Sequence, residues 1–378
     1  MNSQTLRDLS LALAVVALGP VTLPALAADL DSKSPDELLA AAKAEGQVVV
    51  YSFTSRIKKV EKAFEEAYPG IDLVGYDISS TEQIARLQAE HQAGVTNADV
   101  VYISDAPVVF DKLLGAGIIG PYVPPRVADR VPAAFKQPLL AQRLSTKVLM
   151  YNEEANPNGP PVSNLWELTT ERWKGRVVMV DPLQRGDYLD LMTEIVLQSG
   201  AMAAAYEAQF GKPIALSSGI ANAGEQFISD LFANDVILVG STDDVNAAVG
   251  KLGQSNPPVG FTSYSDRRDN AEEGWALQLA NTVEPAPGIV FPAVLGIAEG
   301  AQNPAAARLV IDFLMGDDSA TGGAGFKPFY VPGDYATRTD IAPHPDAVPL
   351  PEFKAWRVNP QKTAEIRAEI ADLVLTLQ

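Results

Sequence analysis

Gly46-Gln47-Val48-Val49-Val50-Tyr51-Ser52-Phe53-Thr54-Ser55 is the stretch whose reading decides the fold. The run from Val48 to Phe53 reads as a buried strand, because all but Ser52 are β-branched or aromatic. Behind it, Ile57, Val60, Phe64 and Tyr68 recur at helical spacing, and Pro69-Gly70 stops that helix. Ile71 to Gly75 reads as a second strand. Ser80 and Gln83 form a capping-box pattern that opens another helix, with Ile84, Leu87 and His91 on one face. Val100-Val101-Tyr102-Ile103 makes a third strand. Such alternation of short apolar runs with amphipathic helices is the signature of α/β architecture.

Beyond Pro121 the chain turns Pro-rich and irregular, through Pro124, Pro125, Pro132 and Pro138. The pattern resumes with strands at Lys147 to Tyr151, Arg176 to Val180, Val236 to Gly240, Val259 to Thr262 and Ile289 to Ala293. Between them one long helix is expected from about Tyr188 to Phe210. Asn303-Pro304 is expected to cap a helix bearing Leu309, Val310, Phe313 and Leu314. A last helix carries Ile366, Ile370, Leu373, Val374 and Leu377 on one face.

A chain of 378 residues exceeds the roughly 250–300 at which a single core stops growing, so two domains are expected. Asp and Glu outnumber Lys and Arg by 47 to 29, a net charge of −18 that repels nucleic-acid backbones and anionic membrane surfaces. There is no cysteine, and the two histidines, His91 and His344, stand far apart. Disulfides, thiol nucleophiles, iron–sulfur clusters and ordinary Cys/His zinc sites are thereby excluded. At the N-terminus Arg7 precedes the apolar run Leu9 to Leu18, and Ala25-Leu26-Ala27 offers a small-x-small cleavage site. Residues 1–27 are therefore expected to be a cleavable export signal, leaving an untethered protein in a periplasm.

Gly115-Ala116-Gly117-Ile118-Ile119-Gly120 matches a dinucleotide fingerprint but lacks the strand before it and the helix after it, so a turn is expected. Ser55-Arg56-Ile57-Lys58 matches the Ser-x-x-Lys pattern without its companion motifs. More informative are the hydroxyls and acids just past the strand ends: Thr54 and Ser55, Ser104 and Asp105, Arg185, Gly186 and Asp187, and Ser241, Thr242 and Asp243. Ligands of open α/β sheets bind beyond the carboxyl ends of strands, and helix N-termini suit anions. Any one of these clusters also has the composition of an ordinary helix cap. Together they are the expected ligand-binding residues, facing one cleft. No catalytic residue, metal ligand or cofactor is assigned.

Several segments taken in order carry a resemblance. They are Gly46 to Ser52; Ala98-Asp99-Val100-Val101; Leu165-Trp166-Glu167-Leu168; Trp173-Lys174-Gly175-Arg176-Val177 up to Asp181-Pro182; Asn303-Pro304-Ala305-Ala306-Ala307; and Ile311-Asp312-Phe313-Leu314. This order resembles the periplasmic solute-binding proteins of ATP-driven (ABC) importers, in the branch that includes ferric-ion binders. The resemblance implies two hinged α/β lobes closing over one ligand, a monomer that docks on an inner-membrane permease, and no enzymatic activity. Lobe 1 is expected at 28–145 with 265–330, and lobe 2 at 146–264 with 331–378. Ferric binders of that branch use an adjacent Tyr-Tyr pair; here no two tyrosines are adjacent, and Ser241-Thr242-Asp243 stands where the pair is sought. The expected ligand is accordingly a small organic anion, a phosphorylated sugar or phosphonate, with Arg185 as its bidentate partner. A metal-plus-anion binder using Asp105 and Asp243 and a secreted α/β hydrolase are the alternatives. Intact mass of the exported protein tests the leader: the expected chain begins at Ala28, and a full-length mass would refute cleavage.

Overall fold

The computed structural model describes residues 30–378, so the expected export signal lies outside the described residues. Strands β1 (Gln47–Ser52), β2 (Asp72–Asp77) and β3 (Val100–Ile103) form a parallel set in the order β2-β1-β3. Helices α1 (Pro35–Glu45), α2 (Ile57–Ala67) and α3 (Ser80–Ala93) accompany them. Ile57, Val60 and Phe64 turn the inward stripe of α2 to the core, as their spacing predicts. The cap of α3 is Ser79 rather than Ser80, and Gln83, instead of closing a capping box, donates its buried side-chain amide to the Ile78 and Tyr102 carbonyls. After β3 come the short α4 (Ala106–Val109), a π turn at Phe110–Leu114, and a glycine turn into β4 (Ile119–Gly120). The Gly-x-Gly-x-x-Gly segment is thus a turn.

Two long strands then span the molecule. β5 (Leu140–Asn152) runs well upstream of its expected start at Lys147. The other half of the sheet holds β6 (Val177–Val180), β7 (Ile237–Val239), β8 (Val259–Thr262) and the short β9 (Leu277–Leu279). β10 (Gly288–Ala298) pairs antiparallel with β5 along most of its length and with β3 at its far end. The resulting sheet order is β2-β1-β3-β10-β5-β8-β6-β7. The single helix expected from 188 to 210 is two, α5 (Gly186–Leu197) and α6 (Ser199–Phe210), broken at Gln198, whose backbone leaves the helical region. α7 (Ala223–Ala233), α8 (Thr242–Gly250), α9 (Pro304–Leu314) and the C-terminal α10 (Pro360–Leu377) complete the helices used below. Asn303 precedes α9 as expected, yet its side chain makes no cap and donates to the Asp99 carboxylate.

The apolar side chains divide the molecule into two lobes. Val48, Val50, Leu73, Val100, Leu140, Ala293 and Leu295 share one core with α9 residues. A further cluster on this lobe joins Tyr51, Ile103, Val109 and Ala141. Leu144, Leu149, Val178, Ile195, Phe261, Ile289 and Phe291 belong to a second core, which also takes in Ile370 and Val374 of α10. Both long strands therefore change cores midway, β5 between Ala141 and Leu144 and β10 between Phe291 and Ala293. Leu277, Leu279, Ala280 and Val283, in a span expected on lobe 1, pack in the second core, while Ile341 packs in the first. At the crossing, Pro292 offers no N–H to the ladder, and the register shifts between Ala293 and Val294. Gly288 sits at φ +148°, where a Cβ would fall 2.1 Å from the Lys147 carbonyl oxygen, so the two strands approach closely only because it is glycine.

Trp166 anchors the second core: it is fully buried, donates its indole N–H to the Met202 carbonyl at 2.8 Å, and meets Tyr206 and Phe227 edge-on. Trp166→Ala should cost about 3–5 kcal/mol, read from the midpoint of urea unfolding.

Candidate functional site

Strand ends from both lobes converge on a cavity of ≈ 230 Å³. β1 delivers Phe53, Thr54, Ser55 and Arg56, and the end of β2 delivers Asp77. Ser52 shapes the first of these turns, its hydroxyl donating to the Thr54 carbonyl and accepting from the Thr54 N–H. β5 contributes Arg143, Ser145 and Lys147, alternate residues that share one face of a strand. From the other lobe come Arg185 and Asp187 at the start of α5, and Ser241, Thr242 and Asp243 at the start of α8. Ser263, Ser265, Asp266 and Arg268 follow β8, and Phe291 lies on β10.

Charge is the dominant feature of this lining. Asp187 is buried between two cations, 3.1 Å from the Lys147 ammonium and 3.5 Å from the Arg185 guanidinium. Burial by itself would raise its carboxyl; Lys147 and Arg185 overcome that and hold it below the usual carboxylate range. Lys147 also donates to the Ser263 hydroxyl at 2.8 Å, and Arg185 to the Thr242 hydroxyl at 2.9 Å. On the other side, buried Asp334 receives Arg56 at 2.5 Å and Arg143 at 3.1 Å. Burial works against the charge of Arg143 and pushes it down to about 9, with Asp334 pulling it back up, so it remains a cation at neutral pH. Its guanidinium lies against the rings of Phe53, Tyr102 and Phe329. The Arg143 Nη2 has no hydrogen-bond partner among the described residues, nor has Asp187 Oδ1. Asp77 is raised chiefly by burial, then eased by Arg185 and raised again by Asp243, which places these two acids and one arginine within one field.

Of the residues expected from sequence, Thr54, Ser55, Arg185, Asp187, Ser241, Thr242 and Asp243 line the cavity. Ser104, Asp105 and Gly186 do not. Ser104 is turned to the Ser80 hydroxyl at 2.9 Å. Asp105 is buried in an ion pair with Arg367, and Gly186 abuts that pair from the first turn of α5. Ser241 divides its duties, since it also caps α8 by accepting from the Asp244 N–H. Arg56, Asp77, Arg143, Ser145, Lys147 and the group after β8 were not expected. The strand-end rule reaches Asp77 and Ser263 to Asp266. Arg143 and Ser145 escape the sequence reading because it starts their strand at Lys147, seven residues beyond its actual start.

A profile of the bacterial extracellular solute-binding protein family matches residues 51–321. The chain belongs to that family. Its members serve transport, as the binding components of ABC importers. Iron-bound HitA from Pseudomonas aeruginosa superposes with a TM-score of 0.68 at 17% identity, covering 88% of this chain and 99% of that one. AfuA from Actinobacillus pleuropneumoniae, with fructose-6-phosphate bound, gives 0.66 at 18% identity, covering 86% and 97%. AgtB from A. tumefaciens R10, in complex with agropinic acid, gives 0.63 at 16% identity, covering 88% and 98%. At such identities the likeness is one of fold: two lobes about a central cleft, as expected from the sequence. No curated protein matches the sequence. Among the described residues no helix is long and apolar enough to cross a membrane.

Asp187 offers a direct check on this arrangement. A carboxyl whose folded value is depressed contributes stability that is full above about pH 4 and is lost as pH falls through the lower value. Asp187→Ala should therefore cost about 3–5 kcal/mol at pH 7, because it strands the buried Lys147 charge, and the deficit should shrink by pH 2–3. Chemical unfolding at both pH values reads the difference.

Proposed function

We propose that the protein captures a small organic anion between its lobes, of the phosphorylated-sugar or phosphonate type, and carries it through a periplasm to an inner-membrane ABC permease. The observation that carries this reading is the buried Arg143 beside the cavity, with a guanidinium N–H that no group among the described residues accepts. A buried donor of this kind is stabilised by an acceptor, most strongly by a charged one. Arg185 and Lys147 line the same space, with Thr54, Ser55 and Thr242 as further donors. Asp77 and Asp243 supply acceptors for hydroxyl or amino groups of the same ligand. The modest volume suits a molecule the size of a sugar phosphate or smaller.

The metal-plus-anion reading is less well supported, since among the described residues neither tyrosine nor histidine lines the cavity. Asp105, one of the two acids it relied on, is engaged by Arg367 outside the lining. For a hydrolase, one nucleophile–base geometry at the cavity is Ser263 beside Lys147. A general base there must be neutral; burial lowers the Lys147 ammonium, and Asp187 at 3.1 Å opposes its loss of charge. We therefore read the protein as a non-catalytic receptor. We propose lobe 1 at about 30–142 with 293–341, apart from Tyr335, which packs in the second core, and lobe 2 at about 143–292 with the C-terminal segment. A freely diffusing monomer follows from this role.

Purified protein, unfolded and refolded to strip any carried ligand, can be screened by thermal shift against sugar phosphates, alkylphosphonates, and Fe(III) with carbonate. An anion at about 100 times its Kd should add about 2.7 kcal/mol. Stabilisation by Fe(III) alone, with silence from the organic anions, would overturn the ligand class. Arg185→Ala should weaken the best anion by about 1.5–3 kcal/mol in calorimetry, and unchanged affinity would remove Arg185 from the ligand.

A further inference from the structure

Asp105, Arg367 and Asp190 form a buried ionic cluster beside the cavity that none of the ligand chemistry uses. Asp105 follows β3 on the first lobe, whereas Arg367 on α10 and Asp190 on α5 belong to the second. Both oxygens of Asp105 lie 3.0 Å from Arg367 Nη2. The Nε of the same guanidinium donates to Asp190 at 2.7 Å, and Nη2 also reaches the Gly186 carbonyl at 3.2 Å. Arg367 therefore holds the first turn of α5, the turn that carries Arg185 and Asp187 into the cavity, against a carboxylate of the opposite lobe.

Three features mark this cluster as more than core packing. Asp105 precedes α4 but makes no side-chain cap there, so its carboxylate is committed to the other lobe. The ion balance is uneven, with two acids on one arginine, and Asp190 Oδ2 has no partner among the described residues. Burial raises both carboxyls, Asp105 to about 6; Arg367 draws them down, and Asp187 pushes them up again. The pair Arg367–Asp190 would be balanced without Asp105, so the third member is a cost to lobe 2 that only an interlobe role explains. Finally, a Cβ on Gly186 would fall 2.0 Å from Asp105 Oδ2 and 2.8 Å from Arg367 Nη2. The backbone of Gly186 does not need glycine for its φ, so it is the approach of the opposite lobe that excludes a side chain.

We propose that Asp105 and Arg367 are positioning residues, a clasp that draws the lobes together at the N-terminus of α5 and thereby sets Arg185 and Asp187 in the cavity. The reading rests on the two-lobed fold and not on the identity of the ligand. Small-angle scattering of the ligand-free protein tests it without any ligand. Asp105→Ala leaves the balanced Arg367–Asp190 pair inside lobe 2, and its radius of gyration should rise above that of the unchanged protein. Gly186→Ala, which places its methyl group between the lobes at a helix position that favours alanine, should do the same while circular dichroism stays native. Hydrogen exchange at Gly186 to Leu189 should quicken in both. Arg367→Lys keeps the charge but loses the fork, and should open the lobes as Asp105→Ala does. If Asp105→Ala fails to fold, Gly186→Ala and Arg367→Lys decide the matter. An unchanged radius of gyration and unchanged exchange in the variants that fold would overturn the clasp. Should the lobes open in these variants and yet no sugar phosphate or phosphonate bind the unchanged protein, the clasp stands and the ligand class falls.

Discussion

The antiparallel ladder between Gly288–Leu295 of β10 and Leu140–Val148 of β5 is the interaction on which the rest of the molecule depends. Each strand begins in one core and ends in the other, so the backbone hydrogen bonds of one lobe continue into those of the next. The glycine at 288 allows the strands to meet closely, and the proline at 292 thins the ladder where the cores change over. The residues that line the cavity lie on this pair or past the ends of other strands of the same sheet.

The local α/β pattern was legible because each strand of the parallel set is a short apolar run followed by an amphipathic stripe. Val48 to Ser52 and the stripe of Ile57, Val60 and Phe64 could be read without any tertiary knowledge. The long strands were harder. Arg143, Ser145 and Lys147 are polar residues on a buried strand, and polarity inside a strand reads as irregular chain until the cavity that they face is known. Gln198 shows another limit: Ser199-Gly200 directly after the break is a weak mark, easily passed over when apolar residues continue on both sides. For the site, the strand-end rule found the hydroxyls and Arg185, because helix starts advertise themselves by composition. It could not separate Asp187, which faces the cavity, from Asp105, which faces Arg367, since both are acids just before or within a first helical turn. That distinction is made by the opposite lobe, and so is written in no local segment.

The net charge of −18 and the cavity lining are in apparent tension that the geometry resolves. Five of the 29 basic side chains line one small space, namely Arg56, Arg143, Lys147, Arg185 and Arg268, and most are backed by a carboxylate that fixes their position. The acids here act as supports: they keep long, flexible side chains in one rotamer, so that little side-chain freedom remains to be lost when an anion arrives. Under the proposed function, the outer surface repels polyanions while the cleft receives a small one.

The cations of β5 have a mechanical meaning as well as a chemical one. Arg143 stands at the point where the strand passes from one lobe to the other, and Lys147 lies two repeats of the pleat further on. A solute that reaches them touches the bending element itself and not merely the two surfaces that the bend brings together. Under the proposed function, occupancy and lobe angle become a single coordinate, and a permease that senses the angle of the lobes is informed about the cargo without ever contacting it.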